Sequence, residues 1–355
     1  MTAPLAALLG VRLPVIQAPM AGVQGSRLAL AVSAAGGLGS LPCAMLGADA
    51  LRDELQRIRA VEGAVVNINF FCHRSPVPDA WRDAQWRDRL APFYRESGLD
   101  PAMAWPASNR APFDAQTADL LEAFRPRVLS FHFGLPDAAL LARVRSWGAC
   151  ILSSATTVAE GLWLQAQGVD AVIAQGLEAG GHRGMFLTDD LSTQLGTLAL
   201  VPQLVQRLQL PVIAAGGIAD ARGVAAALAL GASGVQVGTA YLLCPEASTS
   251  ALHRAALQSA QATTTALTNV FTGRPARGIV NRAVRELGPI SPTAPAFPLA
   301  GAGIGPLRAR AEAAGSAEFT PLWSGQNTSG CRAVPAGDIT RALAEGLRSQ
   351  GTQPA

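Results

Sequence analysis

Pro211-Val212-Ile213-Ala214-Ala215-Gly216-Gly217 decides the fold, together with Gly234-Val235-Gln236-Val237-Gly238 shortly after it. Each is a short, almost wholly apolar run closed by glycine. A strand with one face in water would alternate apolar and polar residues. These do not, so both faces are buried, as in a parallel sheet covered by helices. Residues 219–230 between them read as a helix, and Gly231 follows as a natural left-handed cap.

Six earlier runs have the same character: residues 14–19 (PVIQAP), 38–42 (LGSLP), 65–71 (VVNINFF), 128–133 (VLSFHF), 150–155 (CILSSA) and 171–176 (AVIAQG). Helical stretches at 157–167 and 193–208 separate the later ones. Strand then helix, repeated eight times, predicts an α/β fold, a (β/α)8 TIM barrel; a doubly wound open sheet is the structural alternative. Two segments break the repeat. Residues 72–127, after the third strand, are too long for an ordinary βα loop and are expected to form a lid over the active-site face. Residues 245–355 are expected to form a helical extension, Pro- and Gly-rich at 288–306, that packs on the 1–244 barrel and contributes to the substrate pocket.

The two opening runs also predict a site. A barrel's phosphate site lies in the loops after its seventh and eighth strands, beside a helix N-terminus. Glycine lets main-chain N–H groups approach phosphate oxygens, and the helix dipole favours the charge. Gly216 and Gly217 close one loop; Gln236, Val237, Gly238 and Thr239 form the other. Such glycines can also simply make turns, and the anchor suits either a phosphorylated substrate or FMN. Residues 17–22 (QAPMAG) end the first strand with small residues and a methionine that can meet a flat ring. Asn69 and Gln175 end the third and sixth strands with neutral amides suited to the carbonyl and N–H edge of a flavin.

Two histidines stand at strand ends. His182 lies in the glycine-flanked stretch 178–184 (EAGGHRG), and His132 near the end of the fourth strand. Either can exchange a proton near neutral pH. A core-satisfied His132 and a solvated His182 are the plainer readings. His73 starts the insertion, and His253, in a helical stretch, reads as surface.

Composition excludes several chemistries. All 28 basic residues are arginine, so Schiff-base chemistry and a phosphate-loop lysine are ruled out. Five widely spaced cysteines without a Cys-x-x-Cys pair argue against disulfides and structural zinc, and no metal site is expected. A net charge of +3, spread along the chain, offers no nucleic-acid or membrane patch. No secretory signal or long apolar span is evident, so a cytoplasmic location is expected.

In this order, the motifs PVIQAPMAG, GGLGS, NINFF, SFHFG, AQGLEAGGHRG, PVIAAGGI, GVQVGTAYL, FTGRPARG and LWSGQ resemble the nitronate monooxygenase family, class I branch, over residues 14–326. The resemblance implies oxidation of alkyl nitronates such as propionate 3-nitronate with O2 to carbonyl products and nitrite. It implies FMN held by Ala18, Met20, Asn69, Gln175, Gly180, Gly181, Gly216, Gly217, Gln236, Val237, Gly238 and Thr239. It makes His182 the catalytic histidine, which either holds the nitronate oxygens or abstracts the α-proton of a neutral nitroalkane, and it puts His132 in the substrate pocket. Relatives line that pocket with tyrosines and a lysine. Here Tyr241 is the only tyrosine after Tyr94, lysine is absent, and Phe297 occupies part of that region, which implies a more apolar pocket. A homodimer is also expected. The alternatives are an FMN-dependent NAD(P)H:quinone or enoyl-thioester reductase, and a barrel that binds a phosphorylated metabolite without redox chemistry.

Overall fold

The computed structural model describes residues 4–106 and 110–348. Its eight parallel strands are β1 (Val15–Gln17), β2 (Gly39–Pro42), β3 (Val66–Phe71), β4 (Val128–His132), β5 (Cys150–Ala155), β6 (Ala171–Gln175), β8 (Val212–Ala215) and β9 (Gly234–Val237); the two-residue β7 (Gly181–His182) lies outside this sheet. Each of the eight lies within two residues of its predicted bounds. Their spatial order is β1-β9-β8-β6-β5-β4-β3-β2, and a parallel bridge between Ile16 and Leu38 brings β1 back to the β2 end.

Period-two alternation splits each strand between two cores. Ile16, Leu152, Ile173 and Ile213 point into the barrel with Leu5 and Leu9 of the short helix α1 (Leu5–Leu9). Val15, Leu41, Val172, Val212 and Val235 point outward, against the surrounding helices. Those helices are α2 (Ser26–Ala34), α3 (Ala48–Arg59), α5 (Ala115–Phe124) at the end of the insertion, α6 (Ala138–Ser146), α7 (Val158–Ala166), α8 (Thr197–Arg207) and α9 (Ala221–Ala229), whereas α4 (Ala80–Glu96), also in the insertion, packs elsewhere. Helix α8 begins later than the 193–208 reading: residues 191–193 form a separate 3-10 turn, and the Glu178 carboxylate accepts from Thr197 N, capping the helix there.

The rest of the chain comprises α10 (Ala251–Leu257), the strands β10 (Thr265–Thr268) and β11 (Ala276–Ile279), α11 (Arg282–Leu287), α12 (Ala300–Ala313) and α13 (Ala336–Ala344). After β9 the chain turns at once into a 3-10 turn at Thr239–Tyr241. The place beside the first strand is filled instead by α13, packed on α2 and α9 with Ile339 and Leu343 in the outer core. Tyr241 Oη and Thr340 Oγ1, 2.9 Å apart, tie it down. Helix α4 of the insertion packs on α12, burying Trp86, Leu90 and Tyr94 against Ile304 and Leu307 in a second core. Strands β10 and β11 form an antiparallel hairpin whose edge accepts β7, and that pairing positions the site.

Candidate active site

All fourteen residues singled out from the sequence line one cavity at the strand C-termini. At one end its wall is main chain. Gly216 and Gly217 have φ of 120° and 73°, values that an L side chain rarely adopts, so the turn after β8 belongs to glycine. A Cβ on Gly238 would stand 3.3 Å from Ala18 Cβ and 3.6 Å from Met20 Sδ, which places the β9 turn against the β1 turn. A strap from the extension crosses both: Asn327 Nδ2 donates to Gly217 O, and Gly325 N donates to Thr239 Oγ1. Gly180 touches this strap so closely that a Cβ would lie 2.5 Å from Gly325 N. The Gln236 Oε1 is buried without a partner on the same wall, an acceptor waiting for a donor.

The other end is built of side chains. His182 sits on β7, registered against Ala276 of β11. Its carbonyl accepts from Gln175 Nε2 at 2.9 Å and lies 3.2 Å from His132 Nε2. A carbonyl only accepts, so His132 carries its proton on Nε2, and its Nδ1 receives the Ser154 hydroxyl at 3.1 Å. Burial pushes the His132 pKa down to about 4. Both nitrogens of His132 and both ends of the Gln175 amide, whose Oε1 accepts from Gly184 N, are thus engaged in holding the segment that carries His182.

His182 itself is buried, which holds its pKa well below the ordinary value, with the Arg110 charge adding to the effect. Its Nε2 lies 2.9 Å from Thr272 Oγ1. The Thr272 hydroxyl donates to Arg274 O at 3.3 Å, and a hydroxyl has one proton, so the arrangement that satisfies both contacts has His182 donating through Nε2. The lone pair is then on Nδ1. Phe71, Phe133, Phe297 and Trp323 surround the ring, at centroid distances of 6.1, 6.0, 5.4 and 5.5 Å. Phe133 reaches its position through φ of 70°, a conformation costing about 1–3 kcal/mol in a bulky residue.

Sequence reading missed several of the cavity's residues. His253 is not on the surface: it is 4% exposed and lines the cavity. Helix α10 has only seven residues, too few for its buried face to register as a period. His73 is buried beside Phe297, ring centroids 4.8 Å apart. Arg110, Ser324, Gly325 and Asn327 also line the cavity, and Thr272 supports His182 from behind. LWSGQ and FTGRPARG hold or adjoin four of these, but nothing local to either motif says that it folds back over the barrel.

Fold and site together define a (β/α)8 barrel with a glycine-built main-chain wall at its late strand ends and an aromatic, histidine-bearing pocket beside it. The chain belongs to the nitronate monooxygenase family, whose model matches residues 2–346. It is 42% identical over 343 residues to the nitronate monooxygenase of Pseudomonas aeruginosa, covering 96% of this chain and 98% of that one. It is likewise 42% identical over 348 residues to that of Paraburkholderia phytofirmans, covering 96% and 94%. A solved structure of nitroalkane oxidase from Streptomyces ansochromogenes matches with a TM-score of 0.88 at 37% identity, over 98% of this chain and all of that one. FabK from Thermotoga maritima matches at 0.72 with 23% identity, over 99% and 97%, a likeness of fold alone. The enzyme is an oxidoreductase of an FMN-dependent family, with a nitronate and O2 as reactants. Among the described residues no His, Cys, Asp or Glu cluster could hold a metal, and no helix is long and apolar enough to cross a membrane.

Proposed function

We propose that the enzyme oxidises small alkyl nitronates, propionate 3-nitronate among them, to carbonyl products and nitrite, and that His182 also generates nitronates in place from neutral nitroalkanes. The observation that carries the second half is the uncommitted Nδ1 of His182, the one ring nitrogen of the His132–His182 pair with no hydrogen bond among the described residues. A low pKa keeps that lone pair free across the neutral range, ready to take the α-proton of a nitroalkane. Thr272 holds the other nitrogen's proton and thereby sets the tautomer; His132 and Gln175 fix the main chain beneath it.

The cradle fits FMN. Its phosphate would lie against the main chain of Gly216, Gly217, Gly238 and Thr239, beneath the 324–327 strap. Its ring system would lie among Ala18, Met20, Asn69, Gln175, Gly180 and Gly181, with Gln236 and Val237 along one edge and the orphaned Gln236 Oε1 supplied with a donor. FMN, when bound, accepts electrons from the nitronate and passes them to O2. The protein's task is to hold the carbon acid or its anion there and to exclude water, which the aromatic wall does.

Replacing His182 by Ala should leave FMN binding intact and lower nitrite release from neutral nitroethane by roughly 10²–10⁴-fold, with a much smaller loss on preformed ethyl nitronate. Undiminished nitroethane turnover would remove His182 from the reaction. Flavin bleached anaerobically by NADH but not by a nitronate would overturn the oxidation itself. Five cysteines, all unpaired, support a reducing, cytoplasmic setting, which cell fractionation tests.

A further inference from the structure

Among the described residues Trp323 is the one tryptophan that lines the cavity, and a strand edge sets its place there. Strand β10 takes the whole of one edge of β11, pairing with residues 276–279. The other edge is shared. Strand β7 occupies its first half, with His182 opposite Ala276, and the segment after α12 occupies the second, with Trp323 bridged to Gly278. On either side of that bridge Ile279 N donates to Leu322 O at 2.8 Å and Ser324 N to Arg277 O at 3.3 Å. Ala276 and Gly278 stand two residues apart, so the side chains opposite them emerge on one face of the sheet. His182 and Trp323 share that face, their ring centroids 5.5 Å apart. Gly278 leaves room for the indole: a Cβ there would stand 2.8 Å from Leu322 O and 3.1 Å from Trp323 Cε3. Phe271 meets the indole in a T-shaped contact at 5.6 Å.

A nitro group and its nitronate both present oxygens that need a donor once they leave water. The donors of His132, Gln175 and Asn69 are committed to the His182 carbonyl and to Ser130, that of His182 to Thr272, and Arg110 already has partners. An indole nitrogen can only donate. Among the described residues that of Trp86 donates to Ala300 O and that of Trp147 is sealed in the core without a partner, whereas that of the half-buried Trp323 is neither bonded nor sealed. We propose that Trp323 Nε1 donates to an oxygen of the nitro or nitronate group held beside His182; this rests on the nitronate reading above. As His182 takes the α-proton, the C–H electron pair forms a C=N bond and a pair from the nitro group moves onto oxygen. Negative charge thus grows on the atom that the indole holds, and a hydrogen bond strengthens as its acceptor becomes anionic. The donor is uncharged, so unlike a cation it does not weaken the base beside it.

The test uses the FMN-loaded enzyme with Trp323→Phe, which keeps an aromatic ring and removes the N–H, checked first for Tm and FMN content. Nitrite serves as a non-reacting anion, and the perturbation of the flavin spectrum gives its dissociation constant. Trp323→Phe should weaken nitrite and raise KM for ethyl nitronate by roughly 10-fold, the worth of one hydrogen bond to a charged group, with kcat for the nitronate held. On neutral nitroethane the split reverses: kcat should fall by roughly 10-fold while KM changes little, because the charge develops only in the transition state. A residue that merely packed would not sort the two substrates in this way. A second measurement needs no variant. With isotope-labelled indole nitrogens, nitrite added to the wild-type holoenzyme should move the Trp323 N–H resonance downfield. Wild-type nitrite affinity and KM for ethyl nitronate in Trp323→Phe, or indole resonances that all stay in place, overturn the assignment. So does a loss confined to FMN affinity, which would give the N–H to the cofactor. A wild-type enzyme inert to every nitronate, whose nitrite affinity still falls in Trp323→Phe, would sustain the anion donor and topple the substrate reading instead.

Discussion

At one end of the cavity the wall is main chain: Gly216, Gly217 and Gly238 in turns that follow directly from strands β8 and β9, closed by the 324–327 strap. At the other end it is side chains: His182 on β7, Thr272 beyond β10, Phe297 before α12 and Arg110 from the insertion, brought together from segments up to 187 residues apart. The first end depends on close approach and the second on orientation. Damage to them should therefore read out differently, the cradle in cofactor affinity and the pocket in rate and pH response.

The largest effect is expected where the strap meets the cradle. A Cβ on Gly180 would stand 2.5 Å from Gly325 N and 2.6 Å from Ser324 C, both main-chain atoms that cannot rotate aside. Gly180→Ala must lift the strap, at a cost of about 1–3 kcal/mol, and FMN should bind roughly 10- to 100-fold more weakly. Fluorescence titration of the apoprotein with FMN measures this directly. Unchanged FMN affinity would mean that the strap is not part of the cofactor's seat, and the contrast between the two ends would lose its basis.

The same contrast decides what was legible in the sequence. The barrel was, because strands buried on both faces are uninterrupted apolar runs and glycine marks where they end. The glycine turns that line the cavity were, because Gly216, Gly217 and Gly238 lie within a residue or two of those ends. The helix α13 beside the first strand was not: it arrives about a hundred residues after β9, and no local signal ties residues 336–344 to the barrel. Nor were Thr272 and Arg110 legible as pocket residues. A threonine in a turn and an arginine in an insertion are commonplace, and only the β10–β11 hairpin pairing with β7, and the insertion packing on α12, bring them to the cavity.

A smaller effect is expected from Thr272, which sharpens the idea that the pocket works by orientation. Thr272→Val keeps the shape but removes the acceptor for His182 Nε2 and the donor for Arg274 O. Turnover of neutral nitroethane should fall about tenfold, the worth of one or two buried hydrogen bonds, with FMN affinity unchanged. The freed imidazole should also titrate differently, so the acid limb of the kcat/KM profile should move, and Thr272→Ser should restore both rate and limb. A uniform loss with no change in pH profile would make Thr272 a packing residue only.

The smallest effect separates the two ends by acid alone. All four histidines lie in or beside the pocket, and burial depresses each pKa, to about 4 for His73, His132 and His253. The unfolded chain takes up these protons near pH 6.5, whereas the folded chain resists them until near 4. Their contribution to stability is therefore whole above pH 6.5 and is lost as pH falls through that interval. His253 is the cleanest probe, since its Nε2 is buried without a partner and it stands apart from the His182 machinery. With Gln in its place, one proton fewer is taken up on unfolding, so Tm should fall less between pH 7 and 5.5, by an amount equivalent to about 1 kcal/mol, or roughly 2 °C. Main-chain glycines do not titrate, so the cradle contributes nothing to this slope. Gly180→Ala should lower Tm by the same amount at both pH values, and an acid slope altered by that variant but not by His253→Gln would place the pH response at the wrong end of the cavity.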